Sequence, residues 1–250
     1  MADVQILKFM KTKLQYLAFL VLTVSCVYAD DATIPVEKSF DAPHGMKMSV
    51  KMIGPYGQVT DLQIICVFKH KAAGDVYISA MKNLDNKLGG LISSLRNRGE
   101  FVGELGETIS FIPPADSTLA KHFLVIGLGD EADLSLHTMR VVGTVALREV
   151  INLKAAHISF APVLRDQGNN KLDVGECDRS VEEGWLLAYD TEKRLQAQGL
   201  ADEFNIQDLT FEAGPTFFAG AAAKLEDGIK ISSQLTGQRQ STPYSSAKAP

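Results

Sequence analysis

The sequence has little of what marks a catalyst or a nucleic-acid binder. It holds three cysteines, Cys26, Cys66 and Cys177, too few for a disulfide-stapled scaffold or a cysteine-rich metal site. Its five histidines, His44, His70, His122, His137 and His157, show neither the helical i, i+4 spacing nor the neighbouring cysteine pairs of zinc sites. No Gly-x-Ser-x-Gly elbow singles out a nucleophilic serine. The formal net charge is −5, and the one basic cluster, Arg96 to Arg98, is read as a solvated helix end where cations suit the dipole, so no nucleic-acid partner is expected. A long hydrophobic run is also missing, since Leu14 to Val24 falls short of the roughly 20 residues that span a bilayer.

That short run reads instead as an export signal. Met10 offers a second start beside Met1, Lys11 and Lys13 precede the apolar stretch, and Ser25-Cys26-Val27-Tyr28-Ala29 ends it with a small residue before Asp30-Asp31. The expectation is a signal peptide over 1–29, cleavage after Ala29, a periplasmic or secreted destination, and no stable membrane span after cleavage. A lipid on Cys26 stays open, although Thr23 sits where a bacterial lipoprotein signal usually has Leu, Val or Ile. Cleavage would leave 22 basic and 29 acidic side chains, net −7. The two remaining cysteines, Cys66 and Cys177, could form one bridge in an oxidising compartment, but Cys66 lies in an apolar strand pattern where a thiol is usually a small buried side chain.

Residues 30–57 carry Pro35, Pro43 and Pro55 with no sustained period, which predicts an extended lead-in with a single early strand around Met46 to Met52. The folded region is expected over 58–232. Leu62 to Phe68 is an apolar run of strand length, hence a strand buried on both faces. Met81, Leu84, Leu88, Ile92 and Leu95 form a helical stripe from about Ile78 to Arg98, in which Gly89-Gly90 either permits a close contact or breaks the helix. Strands follow at Thr108 to Ile112 and Phe123 to Gly127, a helix at Ser135 to Leu153, and a strand at His157 to Ala161. Arg165 to Glu176 reads as a polar loop whose acids, with Asp178, suit the start of a helix capped by Ser180 and Glu183. A strand at Phe204 to Phe211 and a helix after Pro215 complete the pattern, and 233–250 reads as a disordered polar tail. Helices interleaved with buried strands predict an α/β fold with a mixed, largely parallel sheet covered on both faces.

Several stretches stand in a recognisable order: Leu84 to Leu91 (LDNKLGGL), Phe101 to Glu107 (FVGELGE), Phe123 to Gly129 (FLVIGLG), the helix with Arg140 and Gly143, Glu182 to Asp190 (EEGWLLAYD), and Ala221 to Gly228 (AAAKLEDG). In that order and spacing the chain resembles the N-terminal, macro-like domain of the leucyl (cytosol) aminopeptidase family over roughly residues 58–232. The resemblance implies a three-layer macro-like domain. In that family a two-metal catalytic domain with the signature Asn-Thr-Asp-Ala-Glu-Gly-Arg follows, and these 250 residues contain no counterpart of it. The resemblance therefore implies a binding or interaction module, partnered by another protein or by self-association, with no catalytic residue, metal ligand or cofactor expected. An aminopeptidase activity would follow from the family name alone.

The rival expectation is a macro-type small-molecule binder. Macro domains that bind ADP-ribose cradle its diphosphate with glycine-rich loops, which points to Gly89, Gly90, Gly127 and Gly129 as candidate ligand-binding residues, and Gly74-Asp75-Val76 looks like the strand-flanking motif of those domains. Against a nucleotide, the turn Gly127-Leu-Gly129 lacks a third glycine, and Asp130-Glu131 would oppose a pyrophosphate. An exposed apolar patch would favour a protein partner, whereas a concave pocket would favour a ligand.

Overall fold

The computed structural model describes residues 36–239; the expected leader, its cleavage point and residues 240–250 lie outside the described residues. Seven strands are described: β1 (Glu37–Asp41), β2 (Lys47–Lys51), β3 (Thr60–Val67), β4 (Thr108–Phe111), β5 (Ala120–Gly127), β6 (His157–Ala161) and β7 (Asp208–Glu212). They form one sheet in the order β1-β2-β7-β6-β3-β5-β4. The pairs from β2 through β7, β6 and β3 to β5 are parallel, and the two edges, β1 on β2 and β4 on β5, are antiparallel. The expected mixed, largely parallel sheet is present.

The period-2 geometry of a strand sends alternate side chains to opposite faces. On central β3, Leu62, Ile64 and Cys66 enter one core while Ile65 and Val67 enter the other. The larger core lies under α3 (Leu136–Asn152), α4 (Val174–Ala197) and α5 (Phe218–Gly237), and the smaller under α1 (Ser79–Lys87) and α2 (Leu91–Asn97). These are the expected three layers.

Local departures from the sequence reading have physical causes. The single helix from Ile78 to Arg98 is two helices, because Gly89 and Gly90 adopt φ of +69° and +77°, a left-handed conformation that ends α1 and starts α2. Helix α4 begins at Val174, capped by Asp173, whose carboxylate accepts the Glu176 N–H at 3.0 Å; the Ser180 hydroxyl donates back to the Glu176 carbonyl inside the helix and caps nothing. Two strands, not one, lie in the expected lead-in, because β1 is an exposed edge strand with no apolar alternation to announce it. Helix α5 runs on to Gly237, five residues beyond Ser232.

One connection shapes the site. β2 and β3 run parallel with β7 and β6 between them, yet only the eight residues 52–59 join them. Too short for a crossover helix, this strap packs Met52 against the larger core and Tyr56 against the smaller. One half-face of the sheet lies opposite the larger core. That half-face carries a row of polar side chains in register: Ser49 on β2, Thr210 on β7, Ser159 on β6 and Gln63 on β3.

Candidate functional site

Beyond this row lies a crevice, lined by Glu212 of the same face but by none of the four. β2, β6 and β7 stop at the same end of the sheet, and the segments leaving them, together with the starts of α1, α4 and α5, enclose about 580 Å³. Open parallel sheets place their ligands at this end. The walls are mostly apolar: Met52, Ile53 and Pro55 from the strap, Val163 and Leu164 after β6, Phe217 after β7. Two non-glycine residues lining it hold left-handed backbone, Ser79 at φ +45° and Val163 at φ +46°. For a β-branched residue that conformation is costly and persists only where its surroundings enforce it.

Three lining residues are ionisable. Arg165 is engaged: its Nη2 donates to the Leu172 carbonyl at 2.8 Å and its guanidinium lies 5.9 Å from the Phe217 ring centroid. Asp166 occupies the start of α1, its carboxylate accepting the Ala80 N–H at 3.1 Å and its carbonyl the Ile78 N–H at 2.8 Å. Burial nevertheless raises its carboxyl above the ordinary range, only partly offset by the Ala80 N–H. Glu212, 7% exposed, ends β7 on the polar face. Burial pushes its carboxyl up to about 8, partly offset by the Ser159 and Gln63 side chains that it meets on the polar face. The N-terminal dipoles of α1 and α4, which elsewhere attract phosphate, each face a carboxylate of this chain, Asp166 and Asp173.

None of the four glycines singled out from the sequence lines this crevice. Gly89 and Gly90 form the α1–α2 junction with open space where a Cβ would stand. Gly127 and Gly129 receive the loop Phe101 to Glu107: a Cβ on Gly127 would lie 2.0 Å from the Glu104 carbonyl oxygen, and the Gly129 N–H donates to Gly103 at 2.9 Å. The same loop closes on the Glu107 carboxylate, which accepts the N–H groups of Val102, Gly103 and Glu104 at 3.1, 2.6 and 2.9 Å. The two quoted stretches FVGELGE and FLVIGLG are therefore packed on each other. The signal that could have pointed to Glu212 and Asp166 is their place just after buried strands, at the ends marked by Pro162 and Gly214-Pro215.

Further corrections concern charge and sulfur. Arg96 is no solvated cap: it is 2% exposed, and its guanidinium binds the Asp75 carboxylate, the Phe68 carbonyl at 2.6 Å and the Val102 carbonyl at 3.3 Å. Asp75, the acid of the Gly74-Asp75-Val76 motif, is thus taken up by Arg96 and by His70 at 3.1 Å. Burial would raise its carboxyl, but these partners hold it below the ordinary range. Cys66 and Cys177 do not form the bridge left open by the sequence; both are buried free thiols, with burial pushing Cys177 up to about 12. Asp178 lies in no polar loop but fully buried in α4, where desolvation raises its carboxyl well above the usual value. Among the described residues no three His, Cys, Asp or Glu side chains form a group that could hold a metal ion, and no helix is long and apolar enough to cross a membrane. The donor set therefore does not fit a two-metal centre.

The buried acids set a pH dependence. Glu182, on α4 against Gly228 of α5, has both carboxyl oxygens out of water, and burial, only partly offset by Ser232, raises it to about 8, as it does Glu212. Between the ordinary glutamate value of 4.5 and about 8 the folded chain holds protons at these two sites that the unfolded chain has lost. The stability they contribute is complete below the lower value and is lost as pH rises through the upper one, by up to about 1.4 kcal/mol per pH unit and site. Asp61, Asp75 and Asp190, held below the ordinary range, act only in acid. Urea midpoints should thus fall from pH 5.5 to pH 8, and Glu182→Gln with Glu212→Gln should lessen the fall, leaving the part due to Asp178, whose raised carboxyl acts in the same direction; a midpoint that rises over this range would contradict the assignment.

The cytosol aminopeptidase family, N-terminal domain, matches residues 64–190. A probable cytosol aminopeptidase of Alkaliphilus metalliredigens is 28% identical over 184 residues, covering 71% of this chain and 34% of that protein. Its counterpart in Alkaliphilus oremlandii is 31% identical over 167 residues, covering 63% and 32%. The chain spans about a third of the length of these relatives. Among solved structures, a tomato leucine aminopeptidase mutant superposes with a TM-score of 0.55 at 16% identity over 83% of this chain and 39% of that one. An Oceanobacillus iheyensis macrodomain with ADP gives 0.52 at 12% identity over 78% of this chain and 97% of the macrodomain. At these identities the structural neighbours share the fold.

Proposed function

The chain belongs to the cytosol aminopeptidase family, through that family's N-terminal domain, and from this membership we propose that it acts as a non-catalytic binding module whose ligand sits in the crevice at the ends of β2, β6 and β7. The carrying observation is the crevice itself: about 580 Å³ of mostly apolar space, within the ~300–1,000 Å³ range of small-molecule sites, at the end of the sheet where such folds bind ligands. Its chemistry suits a small, largely apolar molecule. A nucleotide is the reading to set against it, since the Oceanobacillus macrodomain of the same fold is a structure with ADP. Against that reading stand the two acids lining the crevice, Glu212 and Asp166, the latter already at the start of α1, and the engaged Arg165 and Asp75.

The mature chain from Asp30 should be stabilised by neutral amphiphiles such as hexan-1-ol and left unchanged by ADP or ADP-ribose. At a ligand concentration of 100 Kd the gain is about 2.7 kcal/mol, a rise in Tm of roughly 5–10 °C. Ala80→Trp, at a half-buried wall position, should abolish the effect by filling the space. Saturable stabilisation by ADP that Ala80→Trp removes would replace this reading with the nucleotide one. A leucyl chromogenic substrate turned over in the presence of Zn²⁺ or Mn²⁺, and not in EDTA, would overturn the non-catalytic half.

A further inference from the structure

We propose that the crevice takes a molecule with an apolar body and a single carboxylate, and that the Arg165 guanidinium meets the carboxylate. The inference rests on the crevice being the binding site and adds the class of its ligand.

Arg165 is a cation in a mostly apolar wall, and nothing in that wall matches its charge. Lining residues surround its guanidinium: Nη2 donates to the Leu172 carbonyl at 2.8 Å, the Phe217 ring centroid lies 5.9 Å away, and burial pushes the Cys177 thiol up while the Arg165 charge pulls it down. The carbonyl and the ring are neutral, and the bond to Leu172 uses only one of the guanidinium's several N–H donors. Among the described residues Arg165 forms no ion pair. The acids near it are committed elsewhere. Asp166 accepts the Ala80 N–H, Asp173 accepts the Glu176 N–H, and Glu176 pairs with Arg179 at 2.9 Å and Lys224 at 2.6 Å. Arg165 is half-buried, so the side chain keeps surface that a molecule in the crevice can reach.

Charge and shape select the head group. A neutral alcohol buries its chain and leaves the guanidinium without a counter-charge. An ammonium group meets a like charge in Arg165, while the Glu212 oxygens are sealed from the space. A diphosphate brings more negative charge than one guanidinium can balance, beside Asp166 in the same wall. A carboxylate brings a single charge and the planar geometry that a guanidinium binds through parallel N–H···O bonds. Met52, Ile53, Val163 and Leu164 can cover the alkyl body behind it.

Calorimetric titration of the mature chain at pH 7 with hexanoate, hexanamide, hexan-1-ol and hexylamine tests this. Hexanamide has the shape of hexanoate without its charge. The expected result is hexanoate binding at least about tenfold more tightly than hexanamide or hexan-1-ol, with hexylamine weakest, a modest ratio for a charge-assisted hydrogen-bonded pair. Arg165→Met should bring hexanoate down to the level of hexanamide and leave both neutral ligands at their wild-type affinity, and Ala80→Trp should remove all binding. Arg165→Lys keeps the charge without the planar fork, so its preference for hexanoate should fall between the two; it carries the test if the methionine variant does not fold. Hexanoate no tighter than hexanamide, hexylamine the tightest, or a preference undiminished in either Arg165 variant overturns the proposal and leaves the binding site standing. If none of the four binds, the binding-site reading falls and the proposal with it.

Discussion

Gly184→Ala is expected to lower Tm by roughly 6–12 °C, the effect of about 3 kcal/mol in a domain of this size. On an isolated helix the change would stabilise by up to about 1 kcal/mol, because alanine is the better helix former. Here α3 and α4 cross with their backbones in contact. A Cβ on Gly184 would stand 2.0 Å from the Arg140 carbonyl oxygen, and one on Gly143 would stand 1.9 Å from that of Val181. Neither obstacle is a side chain that could turn aside. The helices would have to part, opening the packing of Val142, Ala146 and Leu147 against Val181 and Trp185 in the larger core. Gly220→Ala is the control: it lies on exposed α5 surface with nothing within 4 Å of its would-be Cβ, and should be neutral or slightly stabilising. Thermal unfolding followed by circular dichroism decides, and a Gly184→Ala protein as stable as the control would refute the contact.

The second large effect belongs to Arg96. Arg96→Met should cost about 3–5 kcal/mol, read as a lowered urea midpoint, because removing one partner of a buried ion pair strands the other. Asp75 would lose its strongest partner, and the Phe68 and Val102 carbonyls would lose their donor. Asp75→Asn alone should also destabilise, leaving a buried guanidinium without its counter-charge. The double variant should cost less than the sum of the two, with an interaction energy of about 1–3 kcal/mol. Strict additivity would mean that Arg96 acts through packing on Phe101 rather than through Asp75.

Much of the layered fold was legible because buried strands and amphipathic helices carry their periodicity locally. His157 to Ala161 is the same strand in sequence and structure, and Ser135 to Leu153 differs from α3 by one residue at each end, with Ser135 as its N-cap. The family resemblance rested on the order and spacing of six short stretches, and at Gly127, Gly143 and Gly184, which fall within them, the structure gives the reason for glycine: each stands where backbone passes too close for a Cβ. The start of α4 was misread because Ser180 and Glu183 satisfy a local capping pattern, while Gly175, Cys177 and Asp178 are held helical by burial that the local pattern does not express. β1 escaped notice because an exposed edge strand has no apolar face to reveal it.

The sequence by itself determined the fold class and the family, since the first follows from short-range periodicity and the second from the order and spacing of short stretches. Tertiary structure alone decided the site. The crevice joins residues 52–55, 79–80, 161–166, 172–177 and 212–217, which become neighbours only through the strand order β2-β7-β6 and the short strap between β2 and β3. The same packing turned Arg96 from a surface cation into a buried one, and made Glu212, an ordinary acid at a strand end, into a carboxyl withdrawn from water. Burial is a property of the assembled layers, and no window of neighbouring residues contains it.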